Sequence, residues 1–173
     1  MRKIKSILII CLITIVASHS SFAQDTKYRA HRVYFYSFTK YMEWPQAYQT
    51  NEFIIGVFGE SDITPLLKEM AEIKKVNNAK IVIKTVGPQD MDAVMNMLFI
   101  PDNQISQLQL IKNKLKNKPT LLITETPDMA TKGSMVNFKD VSGNLRFEVN
   151  TAEMNKVGIK VSKELLRFGE EIN

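Results

Sequence analysis

Phe53-Ile54-Ile55-Gly56-Val57-Phe58 decides the fold. Almost every position is apolar, with no alternation of wet and dry faces. Such a run reads as a strand covered on both sides, the situation of strands in parallel sheets. Just beyond it, Ser61 or Asp62 caps a helix that carries Leu66, Leu67, Met70 and Ile73 on one side. Lys80 to Val86 is the next strand, built on Ile81-Val82-Ile83 and punctuated by Gly87-Pro88. Strand, helix, strand is the repeating unit of an α/β fold.

Working toward the C-terminus, the unit recurs. After the polar stretch Gln89-Asp90-Met91-Asp92, Met95 to Ile100 reads as a third buried strand. Pro101-Asp102-Asn103 opens a helix with Ile105, Leu108, Ile111 and Leu115 on one stripe, and Thr120 to Thr124 is a fourth strand. Thr126-Pro127-Asp128 has the order of cap, first-turn proline and first-turn acid, so a very short helix is expected there, closed by Gly133. The pattern then changes. Ser134 to Lys139 and Val141 to Val149 alternate, with Asp140 and Ser142-Gly143-Asn144 as turn residues, which is a β-hairpin. Leu145, Phe147 and Val149 take one face; Arg146 and Glu148 take the other. Asn150 with Glu153 three residues on marks a helix start, and residues 162–168 form a last helix.

Toward the N-terminus, residues 28–42 read as a helix with Ala30, Tyr34, Phe38 and Tyr41 on one face, ended by Trp44-Pro45. Before that, Met1-Arg2-Lys3-Ile4-Lys5 precedes an aliphatic run from Ile7 to Val16, and Ser21-Phe22-Ala23 supplies small residues at a cleavage site. This is the pattern of a secretory signal over residues 1–23. The run is shorter than the roughly 20 apolar residues that span a bilayer. Cys11 lacks the small neighbour of a lipoprotein site. The expected mature chain, residues 24–173, is exported to the periplasm and has no membrane anchor after cleavage. We expect one domain: an α/β sandwich, its mostly parallel sheet flanked by helices on both faces and ending in an antiparallel hairpin.

Arg2, Lys3 and Lys5 leave with the leader and no acid does, so the formal charge falls from +5 to +2. A nucleic-acid reading built on basicity goes with them. Cys11 is the sole cysteine, so the mature chain has no disulfide, thiol nucleophile or thiolate ligand. No catalytic constellation is legible. Gly56-Val57-Phe58-Gly59 lacks the remainder of a phosphate loop, and Ser134 does not sit in a nucleophile elbow. His31 has no close His, Cys or carboxylate in sequence and reads as a helix-surface histidine; no metal or cofactor site is expected. Asp90/Asp92 and Glu170/Glu171 read as solvated. The aromatic density of residues 28–48, with Tyr28, Tyr34, Tyr36, Tyr41, Tyr48 and Trp44, suits a core helix or an interface, and both readings stay open.

Four motifs in order resemble one family. Tyr36-Ser37-Phe38-Thr39-Lys40-Tyr41-Met42-Glu43-Trp44-Pro45 comes first, then Gly133-Ser134-Met135-Val136-Asn137-Phe138. Gly143-Asn144-Leu145-Arg146-Phe147-Glu148-Val149-Asn150 and Gly158-Ile159-Lys160-Val161-Ser162-Lys163-Glu164-Leu165-Leu166-Arg167 follow. Together they are similar to the YfiR family of periplasmic proteins. The resemblance implies a compact, often dimeric, non-enzymatic α/β domain that binds the periplasmic region of an inner-membrane signalling enzyme. That enzyme is a diguanylate cyclase or sensor histidine kinase, and repression is the expected sign. Some members carry disulfide cysteines; this mature chain has none, so that redox route is closed to it. Among the motif residues, Arg146, Glu148, Lys160 and Arg167 are polar without an evident cap or turn role. With Tyr41 and Trp44 they are the candidate partner contacts. The alternative is a periplasmic module that binds a small ligand in an aromatic-lined pocket at the carboxyl ends of the strands.

Overall fold

The computed structural model describes the backbone of residues 19–172 and the side chains of residues 28–172. Residues 1–18 of the expected leader lie outside the described residues; residues 19–23 begin helix α1, His19–Tyr41. The order then runs β1 (Met42–Glu43), β2 (Glu52–Phe58), α2 (Ile63–Ile73), β3 (Lys75–Val76), β4 (Ala79–Val86) and β5 (Met97–Ile100). It continues with α3 (Leu108–Lys114), β6 (Leu121–Thr124), β7 (Val136–Val141), β8 (Asn144–Asn150) and α4 (Thr151–Lys156). It ends with β9 (Lys160–Val161), α5 (Lys163–Leu166) and β10 (Glu170–Ile172).

Eight strands form one sheet in the order β10-β8-β7-β6-β5-β2-β4-β3. From β4 through β7 every neighbouring pair is parallel; β3 and β8 run antiparallel to β4 and β7. β2 leads to β4 on one side, and the chain then returns past it to β5 on the other. Right-handed crossovers in opposite directions place helices on opposite faces. In agreement, α1 contacts both α2 and α5 on one face, while α3 and α4 line a common cleft on the other. Every residue of β5 and β6 is buried, which explains their unbroken apolar runs. Gly56 lies where a Cβ would come within 2.8 Å of the Met95 sulfur, so β2 needs glycine at that position.

The structure confirms the α/β class and adjusts local expectations. The buried stripe of α1 is Tyr28, His31, Phe35 and Phe38, at helical spacings of three and four, and Met42 at the start of β1 continues it. Ala30 is exposed and Tyr41 largely so, because a helix that is aromatic on most sides offers several stripes and the sheet selects one. Phe35 and Phe38 meet Phe99, Phe138 and Phe147 with ring centroids 5.4–6.1 Å apart. Ile73, expected on the inner side of α2, is 77 % exposed at the helix end. The expected helix at residues 126–133 is a series of turns. Asp128 takes φ 66°, the left-handed region, immediately after Pro127 and so stops a helix from propagating. The two-residue β3, the small antiparallel pair β1–β9, and β10 beside β8 add to the expected elements.

Candidate functional site

In open α/β sheets a ligand crevice forms outside the carboxyl ends of the strands, where chain direction switches. Here that point lies between β2 and β5, whose register pairs Val57 with Phe99. The loop after β2 brings Glu60, Ser61 and Asp62, and the loop after β5 brings Pro101 and Asp102. The residue after β6 is Glu125, and α1 covers the end with Tyr28; the crevice is about 330 Å³. A larger cleft, about 770 Å³, opens on the other side of Glu125 between Asp128 and the β7–β8 hairpin, with His31, Lys139, Asp140 and Glu148 in its lining. Glu125 is therefore common to both.

Its carboxylate is buried and heavily engaged. Oε1 accepts from the Tyr28 hydroxyl at 2.9 Å and from the Asp102 backbone N–H at 3.2 Å. Oε2 lies 3.6 Å from His31 Nε2, with the two side chains 3 % and 1 % exposed. The His31 ring stands edge-on between Tyr28 and Phe138, at centroid distances of 5.2 and 4.4 Å. Burial, reinforced by the charge of Glu125 and the hydrogen bond to it, pushes the Tyr28 phenol well above its usual range. The hydroxyl thus stays protonated and donating. The helix-surface reading of His31 is corrected: the histidine is a core residue facing a carboxylate that sequence distance concealed.

Beside Glu125, a polar chain that starts at Thr124 leads along the sheet. Thr124 donates to Asn137 Oδ1 at 2.7 Å, and Asn137 Nδ2 donates to Glu148 Oε2 at 3.0 Å. Lys139 Nζ bridges Glu148 at 3.1 Å and Glu170 at 2.6 Å. The bonds to Glu170, then Glu148, raise the Lys139 ammonium above its ordinary range. Thr124 and Asn137 are fully buried, so this chain joins the sheet interior to the edge strand β10. Glu170 and Glu171, expected to be merely solvated, stay exposed but belong to β10. Glu171 accepts from Thr151 at 2.8 Å.

The six expected contact residues fall in two groups. Arg146 is exposed on β8, in register with Lys139, and Glu148 is half-buried two residues on. Tyr41 and Lys160 lie at the β1–β9 pair, where the Ser162 N–H donates to the Tyr41 carbonyl at 2.8 Å. Arg167 is exposed at the end of α5. Trp44 is different: it is 6 % exposed, its Nε1 donates to the Asn96 carbonyl at 2.9 Å, and its ring meets Phe53 edge-on at 4.9 Å. Its side chain is a core anchor rather than exposed surface. Sequence reasoning did not name Glu125, and it met Tyr28 only within the aromatic cluster, Asp102 only as a helix start and Asn137 only within a family motif. The available signal was positional, since acids after consecutive buried parallel strands converge at the carboxyl edge. Among the described residues no group of His, Cys, Asp and Glu is placed to hold a metal ion, and no helix is long and apolar enough to cross a membrane.

A doubly wound parallel sheet extended by an antiparallel hairpin, with an acid-lined crevice at its carboxyl edge, defines the architectural class. Within that class the chain belongs to the YfiR/HmsC-like family, whose profile matches residues 28–170. The family is one of periplasmic regulatory proteins. A solved structure of similar fold is the ABC domain in complex with L-Trp from Streptococcus pneumoniae. It is 13 % identical with TM-score 0.51, covering 70 % of this chain and 55 % of that one. This chain therefore spans about half the length of that relative, and at this identity the likeness concerns the fold alone. Among curated proteins, none matches the chain.

Proposed function

We infer that the mature chain is a non-enzymatic periplasmic regulator that binds the extracytoplasmic part of an inner-membrane signalling enzyme and holds it inactive. The observation that carries this reading is the family match across residues 28–170, nearly the whole described structure. The geometry supports it. The motif arginine Arg146 stands on solvent with no structural task, beside the half-buried Glu148 and Lys139 pair that fixes the strand beneath it. Lys139, Asp140, Asn144 and Glu148 around it make the surface polar, as a docking rim is. The enzyme's output tests the reading. Adding the mature chain to envelope vesicles that carry a diguanylate cyclase or histidine kinase should lower product formation saturably. Unchanged output across the titration refutes repression.

A second reading is favoured by one observation, the cleft of about 770 Å³ at Glu125, which is in the size range of small-molecule sites. Its carboxylates, Glu125, Asp128, Asp140 and Glu148, outnumber Lys139 and suit a molecule bearing an amine. A thermal-shift screen of small amines tests it: ligand at 100 times Kd should add about 2.7 kcal/mol to stability, and no shift across the screen removes the reading.

A further inference from the structure

The sheet has one long open edge. β4 pairs with β2 along all of Glu52–Phe58, but β3 covers only Ala79 and Lys80 on its other side. The Lys80 N–H donates to the Asn51 carbonyl, and the Gly59 N–H to the Val86 carbonyl. In a parallel ladder alternate residues bond the same neighbour. Lys80, Val82, Lys84 and Val86 therefore bond β2, and Ile81, Ile83 and Thr85 direct their N–H and C=O groups outward. No described strand pairs with that side of Ile81–Val86. At about 3.3 Å per residue this leaves an edge roughly 20 Å long, enough for one added strand of about six residues.

The edge is regular, and its composition is β-branched. Val82 and Ile83 are half-buried, and Lys80, Lys84 and Thr85 are exposed. β3 and β4 together hold Lys75, Lys80 and Lys84 and no acid. Lysines on an open edge oppose self-pairing. Two copies joined antiparallel through β4 would set Lys80 and Lys84 of one directly or diagonally opposite those of the other, at cross-strand distances where like charges repel. The opposite sheet edge, β10, offers Glu170 and Glu171, but these already hold Lys139 and Thr151. The charge pattern thus disfavours a second copy in the paired register and favours an acidic strand.

We propose that the outer edge of β4, from Ile81 to Val86, is a strand-addition site for an extended, acid-bearing segment of a partner protein. Its backbone pairs with Ile81, Ile83 and Thr85, and its carboxylates meet Lys80 and Lys84. Main-chain hydrogen bonds supply affinity in this mode and the alternating side chains supply specificity. The site deepens the regulator reading and takes the identity of its partner from it. Its chemistry is tested without that partner.

The probe is a blocked peptide alternating glutamate with valine, about six residues long, with a lysine-for-glutamate peptide as its counterpart. Each is titrated into the mature protein and followed by amide hydrogen exchange at Ile81, Ile83 and Thr85. In the free protein these three amides should exchange quickly, while those of Val82 and Lys84 are protected. The glutamate peptide should slow the three by about tenfold or more, less so at high salt, and the lysine peptide should not. Thr85→Pro removes only an outward donor and should abolish the response. Should that variant fold poorly, the Lys80→Glu, Lys84→Glu double variant should reverse the preference between the two peptides. No slowing by the glutamate peptide, an equal response to both, or protection that rises with protein concentration alone overturns the proposal. The last of these would show a second copy on the edge. Failure here leaves the regulator reading intact, because that reading stands or falls on recovery of a membrane enzyme.

Discussion

His31 and Glu125 face each other inside the protein, Nε2 to Oε2 at 3.6 Å, where α1 crosses the end of β6. The same carboxylate takes the Tyr28 hydroxyl and the Asp102 N–H. One side chain thus ties the first helix to the loops that form the carboxyl-edge crevice. Glu125→Ala removes the acceptor for both donors and the charge facing His31. Leaving buried donors without an acceptor costs about 1–3 kcal/mol, and breaking a buried charged contact reaches about 3–5. We expect Glu125→Ala to lose about 3 kcal/mol in urea unfolding, and Glu125→Gln clearly less, since its amide oxygen still accepts. Equal losses would show that the carboxylate's acceptor role is unimportant.

Tyr28 should ionise above the ordinary tyrosine range. Its phenol is pushed upward by burial and by Glu125, so the neutral form is favoured in the folded state. A folded pKa above the unfolded one means that this stabilisation is complete below about pH 10 and declines as pH rises toward the folded value. Absorbance near 295 nm should show a late step that coincides with alkaline unfolding. Tyr28→Phe should remove that step. A Tyr28 signal that titrates near the ordinary tyrosine value of about 10 would contradict the buried geometry.

Asn96 links three segments. Its Oδ1 accepts from the Ile54 N–H at 2.8 Å, its Nδ2 donates to the Tyr48 carbonyl at 3.0 Å, and its own carbonyl accepts from Trp44 Nε1 at 2.9 Å. Asn96→Ala should cost about 2–3 kcal/mol through the buried groups it strands. Trp44→Ala should cost about 3–5 kcal/mol by opening a cavity against Phe53. Chemical denaturation checks both. A change below about 0.5 kcal/mol for Trp44→Ala would contradict its core assignment, and one that small for Asn96→Ala would contradict the bridging role of its amide.

Lys139 should resist deprotonation through its bonds to Glu170 and Glu148. Because its folded pKa lies above the unfolded one, the stabilisation is present below the ordinary lysine value and lost as pH rises through the folded value. Lys139→Met should release β10. Faster exchange of the Glu170–Ile172 amides, with the β5 and β6 amides unchanged, is the expected signature. Unaltered β10 exchange would show that the strand is held by its ladder alone.

The alternation of buried strands and helices was legible because burial on both faces writes continuous apolar runs such as Leu98-Phe99-Ile100 and Leu121-Leu122-Ile123. The hairpin was legible because one face of β8 is wetter than the other. The buried face of α1 was not, since aromatics surround it and only the sheet decides between stripes. β3 escaped because two residues carry no period; Asn77, at φ 47°, turns the chain there. The crevice escaped for a different reason. Tyr28 and His31 share one helix, but Asp102 and Glu125 lie far from them in sequence, each ordinary in its neighbourhood, and topology alone brings the four together. Arg146 stood out in the sequence as a polar residue in an otherwise structural motif, and it is exposed on β8.

Arg146 also gives the most direct measurement. With residues 24–173 as bait on envelope membranes, proteins retained after washing are identified by mass spectrometry. We expect a diguanylate cyclase or sensor histidine kinase to be recovered with the wild-type chain and lost with Arg146→Ala, whose stability should stay within about 0.5 kcal/mol of wild type. Recovery of the bait alone, from membranes in which such enzymes are present, would contradict the regulator reading.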